Sequence, residues 1–376
     1  MYKLKDFAQD ISVAIKDAQS SPFDRFVGLE HYDSGEPVIT RYTDKSLLSS
    51  SVKEFRKNDI LIARRNVYLK RAGIAFFDGL TSGDSIVLRI YDDCESRTGI
   101  SKQDAIRIIP FILNSNVFWA YANKHADGMN SKRISKEMLY DYEFDLPPLA
   151  EQKVLAEKLW AAYRLKESYK KLLAATEEMV KSQFIEMFGN PITNTKGWKT
   201  MPISEVAPEE PSKERTTGSV WLLNLDMIES NTGKIVGKVY EKDSNLLSVA
   251  PFDEGNVLYS KLRPYLNKVV IPNEKGYATT ELVPLRPKQE LLNLSFLSHL
   301  LRSDDFVAYA NGIATGTKMP RMPLNDLRKF NCILPPIEVQ REFELIAHQA
   351  DKSGFELRKS IEAIDKVIKS LVNVNL

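Results

Sequence analysis

The chain has 376 residues, of which 43% are hydrophobic and 27% are charged, as in ordinary globular proteins. Its apolar stretches are too short to span a bilayer, and no N-terminal apolar run with a cleavage site is present, so we expect a cytoplasmic protein rather than a membrane or secreted one. Its net charge of +2 excludes a polycation, so any binding to nucleic acid would need basic residues gathered on one face.

An internal repeat organises the sequence. The segment LPPLAEQ at 146–152 recurs 188 positions later as LPPIEVQ at 334–340, and AYAN at 120–123 recurs at 308–311. Nearer the start of each copy the offset is 197, which aligns Asp84 with Glu281. We therefore predict two copies of one module, each ending in a long helix. The predicted segments are residues 1–146 (first module), 147–189 (central helix), 190–334 (second module) and 335–376 (C-terminal helix).

The first module is predicted to be mixed α/β, with strands at 59–63 and 85–90 and a short helix at 109–123. Basic residues cluster at 51–71, where the net charge is +5, and at 124–136, where it is +3. Two segments within these clusters, 63–71 and 126–133, have the residue types of a DNA-contacting loop. Their candidate DNA-binding residues are Arg64, Arg65, Lys70, Arg71, Lys132 and Arg133.

The central helix is predicted from its start, its periodicity and its stop. Proline is tolerated in a first helical turn, and Glu151 favours the positive end of the helix dipole. Apolar residues then recur at steps of mostly three or four, which indicates one apolar face. Gly189 followed by Pro191 ends the helix. The predicted apolar face consists of Leu155, Leu159, Ala162, Leu165, Tyr169, Leu172, Thr176, Met179 and Phe184.

The second module repeats the plan, with predicted strands at 256–260 and 282–286 and a helix at 294–311. Pro284 favours an edge strand or a bulge. Lysine and arginine can neutralise phosphates or pair with guanine, asparagine can pair with adenine, and hydroxyls can bind phosphate. The segment 259–268 has these types at Lys261, Arg263, Tyr265, Asn267 and Lys268. The segment 314–321 adds Thr315, Gly316, Thr317, Lys318 and Arg321, where small residues let backbone amides approach a phosphate.

The C-terminal helix has apolar residues at steps of four, three, four and three, a heptad seam of about two repeats. They are Leu357, Ile361, Ile364, Ile368 and Leu371. Two helices of similar length with matching stripes are expected to pack antiparallel, which would carry the modules to opposite ends of the pair. Packing of each helix on a separate core is the alternative.

Motifs for catalysis are absent from the sequence. The glycines of the segment 312–318 are four apart and no Ser or Thr follows the lysine, so it is not a phosphate-binding loop of a nucleotide enzyme. The Pro-Pro pairs lack the flanking residues of a DNA methyltransferase motif. The four histidines stand apart, without acidic or cysteine companions at ligand spacing. We therefore predict no catalysis, no metal site and no cofactor for this chain by itself.

The order of module, LPPLAEQ helix, module and LPPIEVQ helix resembles the DNA-specificity (S) subunit of type I restriction–modification systems. The stretches SKLRPY at 260–265 and ATGTKMPR at 314–321 are typical of its target-recognition domains. The resemblance implies a mixed α/β fold with two target-recognition domains and two long antiparallel helices. It also implies a non-catalytic subunit that reads a bipartite asymmetric site in double-stranded DNA and binds methyltransferase and restriction subunits.

The first module departs from this pattern. It lacks the LRPY wording and has Asp127 where the second has Thr315, which indicates two unequal half-sites. Three alternatives stay open: a protein–protein scaffold, the specificity part of a DNA methyltransferase system without a nuclease, and a single-chain enzyme.

Overall fold

The computed structural model describes residues 1–48, 51–129, 131–213, 217–243 and 248–375. Its contacts divide the chain into two units. Unit 1 comprises residues 1–170 and 359–376, and unit 2 comprises residues 171–358. Each unit thus contains one module and a part of each long helix. The four-segment domain division given by the repeat stays a prediction.

Unit 1 is built on two mixed sheets of five strands and a small pair of strands. The sheet orders are β3-β7-β10-β4-β6, β2-β11-β8-β9-β5 and β1-β12. The strands are β1 Tyr2–Lys3, β2 Ala8–Asp10, β3 Ala14–Ile15, β4 Arg25–Val27, β5 Val38–Ile39, β6 Thr43–Asp44, β7 Val52–Phe55, β8 Ile60–Ala63, β9 Ala72–Ala75, β10 Gly79–Ser82, β11 Ser85–Ile90 and β12 Glu143–Phe144. The short helices are α1 Leu4–Phe7, α2 Cys94–Thr98, α3 Lys102–Ile112, α4 Asn116–Lys124 and α5 Lys136–Tyr140.

Unit 2 has sheets in the orders β15-β14-β19-β16, β18-β17-β20 and β13-β21. Its strands are β13 Lys199–Pro202, β14 Ser219–Leu223, β15 Val239–Lys242, β16 Val249–Phe252, β17 Val257–Ser260, β18 Val269–Val270, β19 Gly276–Thr279, β20 Leu282–Leu285 and β21 Asn331–Leu334. Its short helices are α7 Ile203–Val206, α8 Leu294–Arg302, α9 Asp304–Ile313 and α10 Leu324–Lys329.

The two units share one strand-pairing scheme. In unit 1, β8 pairs antiparallel with β9 and β11, and in unit 2, β17 pairs antiparallel with β18 and β20. The parallel pair β4–β10 corresponds to the parallel pair β14–β19. The repeat in the sequence is therefore a repeat of one mixed α/β module, and the predicted fold class is confirmed.

The predicted strands lie where the periodicity placed them, within a residue at each end, and Pro284 lies in β20, an edge strand. The single helices predicted at 109–123 and 294–311 are wrong. Each region forms two helices, because a serine caps the start of the second one. The Ser115 hydroxyl accepts from the Phe118 amide and the Ser303 hydroxyl from the Phe306 amide, and serine is a preferred N-cap residue.

The two long helices are α6, Leu149–Phe188, and α11, Ile337–Asn375. Both start from a Pro-Pro turn that is held in the same way. The Gln152 side-chain amide donates to the Pro147 carbonyl at 2.7 Å, and that of Gln340 donates to the Pro335 carbonyl at 2.8 Å. Helix α6 ends at Gly189, whose φ of +75° is a left-handed conformation that favours glycine. No helix in the described ranges is long and apolar enough to cross a membrane.

The long helices pair antiparallel. In unit 2, Phe184 contacts Phe343 with ring centroids 5.4 Å apart, whereas Leu173, earlier in α6, lies against Gly354, later in α11. In unit 1, Leu159 near the start of α6 and Val372 near the end of α11 belong to the same buried core. The predicted antiparallel pairing is thus confirmed.

The predicted apolar face of α6 is wrong in its middle. Leu165, Leu172 and Met179 are 46%, 52% and 49% exposed. The buried face instead passes through residues about one position further along, among them Lys166 and Val180. The difference arises because the buried face of α6 includes charged residues, which a search for apolar periodicity does not detect.

Ion pairs close the seam within each unit. In unit 1, the Lys166 Nζ lies 2.5 Å from both the Glu36 and Asp365 carboxylates. In unit 2, the Glu177 carboxylate lies 2.8 Å from the Lys234 Nζ and 2.5 Å from an Arg358 nitrogen. Burial acts to raise the pKa of Glu177, but these two cations outweigh it and the pKa is lowered.

Candidate nucleic-acid interface

In unit 2, the segment 261–268 leaves β17 and makes a tight turn. A short 3-10 helix, Pro264–Leu266, is bracketed by Arg263 and Asn267, which have φ values of +50° and +48°. Left-handed backbone at two non-glycine positions is uncommon and shapes the turn strongly. Tyr265, in the middle of this turn, is 50% exposed.

The loop 315–321 lies beside this turn. The backbone groups of Thr315 and Arg321 exchange two hydrogen bonds of 2.9 Å, which close the loop, and Gly316 within it has a φ of +101°. The Arg263 amide donates to the Pro320 carbonyl at 2.7 Å, which ties the turn to the loop. Two segments that the sequence identified separately therefore form one surface, which we call loop pair 2 (residues 261–268 and 315–321).

Unit 1 contains the same construction, which we call loop pair 1 (residues 64–71 and 127–133). Asp127 and Arg133 exchange backbone hydrogen bonds of 2.9 and 2.8 Å, and the Asn66 amide donates to the Lys132 carbonyl at 2.7 Å. Asn66 and Lys70 take the left-handed conformations found at Arg263 and Asn267. The equivalence holds at offsets of 197 and 188 positions, as the repeat requires. Asn130, in the predicted segment 126–133, lies outside the described residues.

Most candidate DNA-binding side chains are accessible to a ligand. The exposed ones are Arg65, Lys132, Arg133, Tyr265, Thr315, Gly316, Thr317, Lys318 and Arg321. The half-buried ones with surface still accessible are Arg64, Lys70, Lys261 and Arg263. The loop pairs thus combine accessible cations, hydroxyls and an aromatic ring, which are groups that bind phosphates and base edges.

Three candidates are instead occupied inside the protein. The Asn267 side chain is 4% exposed and donates to the Arg302 carbonyl at 2.9 Å. The Lys268 Nζ donates to the Leu225 carbonyl at 2.5 Å. Arg71 donates to the Leu29 and Arg65 carbonyls, both at 2.9 Å, and burial lowers its pKa. These side chains stabilise the turns from inside, so we do not expect them to contact DNA.

Replacing Asn267 tests this structural role. We expect Asn267→Ala to lower the free energy of unfolding by about 1–3 kcal/mol, because the Arg302 carbonyl loses its donor and alanine disfavours the left-handed backbone. Urea unfolding of the full chain measures this change. An unchanged unfolding midpoint together with a changed DNA affinity would instead place Asn267 among the contact residues.

An acidic residue stands beside each loop pair, at the turn between two strands. In unit 2, Glu281 binds Arg321 with an Nη2–Oε1 distance of 2.8 Å, and this hydrogen bond raises the pKa of Arg321. In unit 1, Asp84 lies 3.3 Å from Arg133 and 3.8 Å from Arg65. The repeat had aligned Asp84 with Glu281, but the sequence did not indicate that they pair with the loop arginines.

The candidate residues also omitted Tyr68. It is 58% exposed in loop pair 1 and corresponds to Tyr265 at the offset of 197. The repeat register alone would have found it.

The described residues contain no group of three or more His, Cys, Asp or Glu side chains that could hold a metal ion. Burial lowers the pKa of His299 to about 3, so this histidine is neutral at physiological pH. The two cysteines, Cys94 and Cys332, are both buried and free.

Comparison with known proteins gives relatives in sequence and in structure. No family model matches the sequence. A segment of 150 residues, 39% of this chain, is 26% identical to the type I restriction enzyme EcoDI specificity subunit of Escherichia coli and spans 33% of that protein. The match therefore covers about a third of the length of this curated relative.

Two solved structures match the chain over almost its whole length. The crystal structure of a type I restriction-modification system S subunit from M. genitalium aligns with a TM-score of 0.57 and 12% identity, covering 99% of this chain and 94% of that one. A chain from a structure on complex assembly and conformational transition of the type I R-M system aligns with a TM-score of 0.53 and 16% identity, covering 99% and 98%.

The fold and the paired loops define a class of protein in which one mixed α/β module occurs twice and each copy is followed by a long helix. Within that class, the chain has the fold of a crystallised type I S subunit and of a chain from a type I R-M system, and over 150 residues it is similar in sequence to a type I specificity subunit. The resemblance predicted from the sequence is thus confirmed.

Proposed function

We propose that this chain is the DNA-specificity subunit of a type I restriction–modification complex and reads a bipartite, asymmetric site in double-stranded DNA. One observation carries the proposal. Each unit presents a loop pair with the same backbone closure but different side chains, such as Thr315 and Lys318 in one and Asp127 and Arg65 in the other. A shared backbone arrangement with different side chains is what we expect of two loop pairs that recognise different half-site sequences.

The proposed function requires protein partners and no membrane. The chain would act in the cytoplasm in host defence by DNA methylation and restriction, with two methyltransferase subunits and restriction subunits and without a membrane. The chemistry would belong to those subunits, so the chain itself needs no cofactor and no catalytic residue. Support comes from the fold it shares with S subunits and from the curated relative, whose name is that of a specificity subunit.

Selection from random duplexes tests the proposal. The full chain, in complex with its proposed methyltransferase partner, should enrich duplexes that contain two different words separated by unread bases. Enrichment of no sequence, with no dependence of binding on salt, would overturn the proposal and favour the protein–protein scaffold. Turnover by the purified chain alone would favour the single-chain enzyme.

Single lysines in the loops test the contact surface. Lys318→Ala and Lys132→Ala should each weaken binding to all sequences and reduce the slope of log affinity against log salt by about one, because each lysine would neutralise one phosphate. Lys199→Ala is the matched control, since Lys199 is also exposed but lies in β13, outside the loop pairs. Salt titrations with a fluorescent duplex measure the slopes.

The contact surface in unit 2 has a stricter test. Affinity and salt slope that stay unchanged after Lys261, Lys318 and Arg321 are replaced together would remove loop pair 2 from the interface.

A further inference from the structure

The pairing of Arg321 with Glu281 is side-on. The Arg321 Nε lies 3.1 and 3.2 Å from the two Glu281 oxygens, and Nη2 lies 2.8 Å from one of them. The carboxylate therefore occupies the Nε–Nη2 edge of the planar guanidinium. The Nη1–Nη2 edge keeps its own pair of parallel donors. Glu281 thus fixes the orientation of Arg321 without using the edge that could bind DNA.

Unit 1 contains a looser version of the same arrangement. The Asp84 carboxylate lies 3.3 Å from Arg133 Nη2, and Arg65 Nε donates to the Ser131 hydroxyl at 2.7 Å. The residue at the place of Arg65 in the other module is Leu262. One acid therefore holds one arginine in unit 2 and lies between two arginines in unit 1.

Stability does not explain why the pairs recur. The side chains of Arg321 and Arg133 are 46% and 47% exposed, and exposed ion pairs typically contribute little to folding. Nor does counterion release explain them, because a carboxylate beside an arginine cancels the charge that would neutralise a phosphate. Orientation of the guanidinium is the effect that remains. Orientation matters most for a bidentate contact with a base edge, and guanine, with its O6 and N7 acceptors, is the usual target of arginine.

We propose that Glu281 is a positioning residue that holds Arg321 for bidentate recognition of a guanine in one half-site, and that Asp84, through its looser contact with Nη2, positions Arg133 for the other half-site. This inference rests on the proposed function. It separates the loop cations into two groups: Lys318 and Lys132 bind phosphates, whereas Arg321 and Arg133 read bases.

Two variants of unit 2 test the proposal. Arg321→Lys keeps the charge but has no planar pair of donors, so preference for guanine at one position should fall about tenfold or more while the salt slope stays unchanged. Glu281→Gln should reduce the same preference. It should also steepen the slope on non-specific duplexes by up to about one, because Arg321 becomes free to bind a phosphate.

Glu209→Gln is the matched control. Glu209 also binds an exposed arginine side-on, Arg328, at 2.7 Å. The backbone of Glu209 pairs with that of Leu285, the last residue of β20, whereas Glu281 precedes the first residue of that strand. Leu285 and Glu281 are thus roughly 13 Å apart at ~3.3 Å per residue. This variant should leave every base preference intact. Asp84→Asn should change the base preference at one position of the other half-site only, which tests the proposal independently of unit 2.

The probe is the full chain in complex with its proposed methyltransferase partner, on random duplexes and then on the selected site. In the second step, 7-deazaguanine replaces the guanine in question and removes its N7 acceptor. The affinity of the wild type should fall about tenfold on the modified site. The affinity of Arg321→Lys should be the same for the modified and the unmodified site.

The outcomes are distinguishable. Selection of two words by the wild type, with all base preferences kept by Arg321→Lys, Glu281→Gln and Asp84→Asn, would overturn this inference and leave the proposed function intact. Selection of no word by the wild type would overturn the proposed function itself.

Discussion

Lys166→Ala is expected to lower the free energy of unfolding by about 2–4 kcal/mol, the largest effect on stability that we expect from a single substitution in the helix seam. The Lys166 side chain is 6% exposed, and its Nζ lies 2.5 Å from both Glu36 and Asp365. Removing one partner of a buried ion pair typically costs about 3–5 kcal/mol, because the other charge stays in a poorly solvated place. Asp365 is 35% exposed, so water recovers part of that cost.

A double variant distinguishes the loss of a partner from the loss of packing. In Lys166→Met with Asp365→Leu, apolar side chains replace both charges, and Glu36 keeps Lys170, whose Nζ lies 3.1 Å away. Apolar replacement of a whole buried pair is often neutral or stabilising, so most of the stability should return. Urea unfolding of the full chain measures each variant. If Lys166→Ala unfolds at the wild-type midpoint, the ion pairs do not stabilise the seam.

Insertion of four residues after Tyr169 is expected to change the spacing of the DNA site without changing its words. Helix α6 runs from unit 1 into unit 2, and the boundary falls between Lys170 and Lys171. Four helical residues add roughly 6 Å at ~1.5 Å each. If the helices set the distance between half-sites, the unread spacer should lengthen by about one or two base pairs, or specific binding should be lost. Both loop pairs keep their own contacts, because the insertion lies outside them.

The spacing is measured by sequencing the methylated motif in DNA from cells that carry the variant. The same four residues placed after Asn373, near the end of α11, are the control and should leave the motif as it is. An unchanged spacer at full modification after the insertion at Tyr169 would mean that the helices do not set the distance.

Much of the fold could be predicted from local patterns. The strand at 85–90 and the helix that ends before Gly189 lie where periodicity and stop signals placed them. The helices at 109–123 and 294–311 could not be predicted correctly, because Ser115 and Ser303 cap new helices within apolar stretches that read as continuous. Such breaks depend on a single hydroxyl that competes with the helical backbone.

The candidate site could be predicted only in part. Residue type and repeat position indicated both segments of each loop pair. They could not show that Asn267 faces inward, because its neighbours Arg263 and Tyr265 are accessible to solvent. The left-handed backbone at Asn267, which a residue pattern does not reveal, accompanies the burial of its side chain. Nor could they show that Glu281 reaches Arg321, since the two are 40 residues apart and meet through the strand pairing of the module.

The sequence by itself determined that this chain contains one module twice, with two long helices and basic loops at matching places. Each of these properties can be identified from a repeat of residues, a periodicity or a stop signal in the sequence. Tertiary structure decided which face of α6 is buried and which loop side chains stay free. The seam passes through Lys166 rather than Leu165 because Glu36 and Asp365 supply carboxylates there, and a charge can be buried where such partners meet it. Those partners come from distant parts of the chain, so no local pattern contains them.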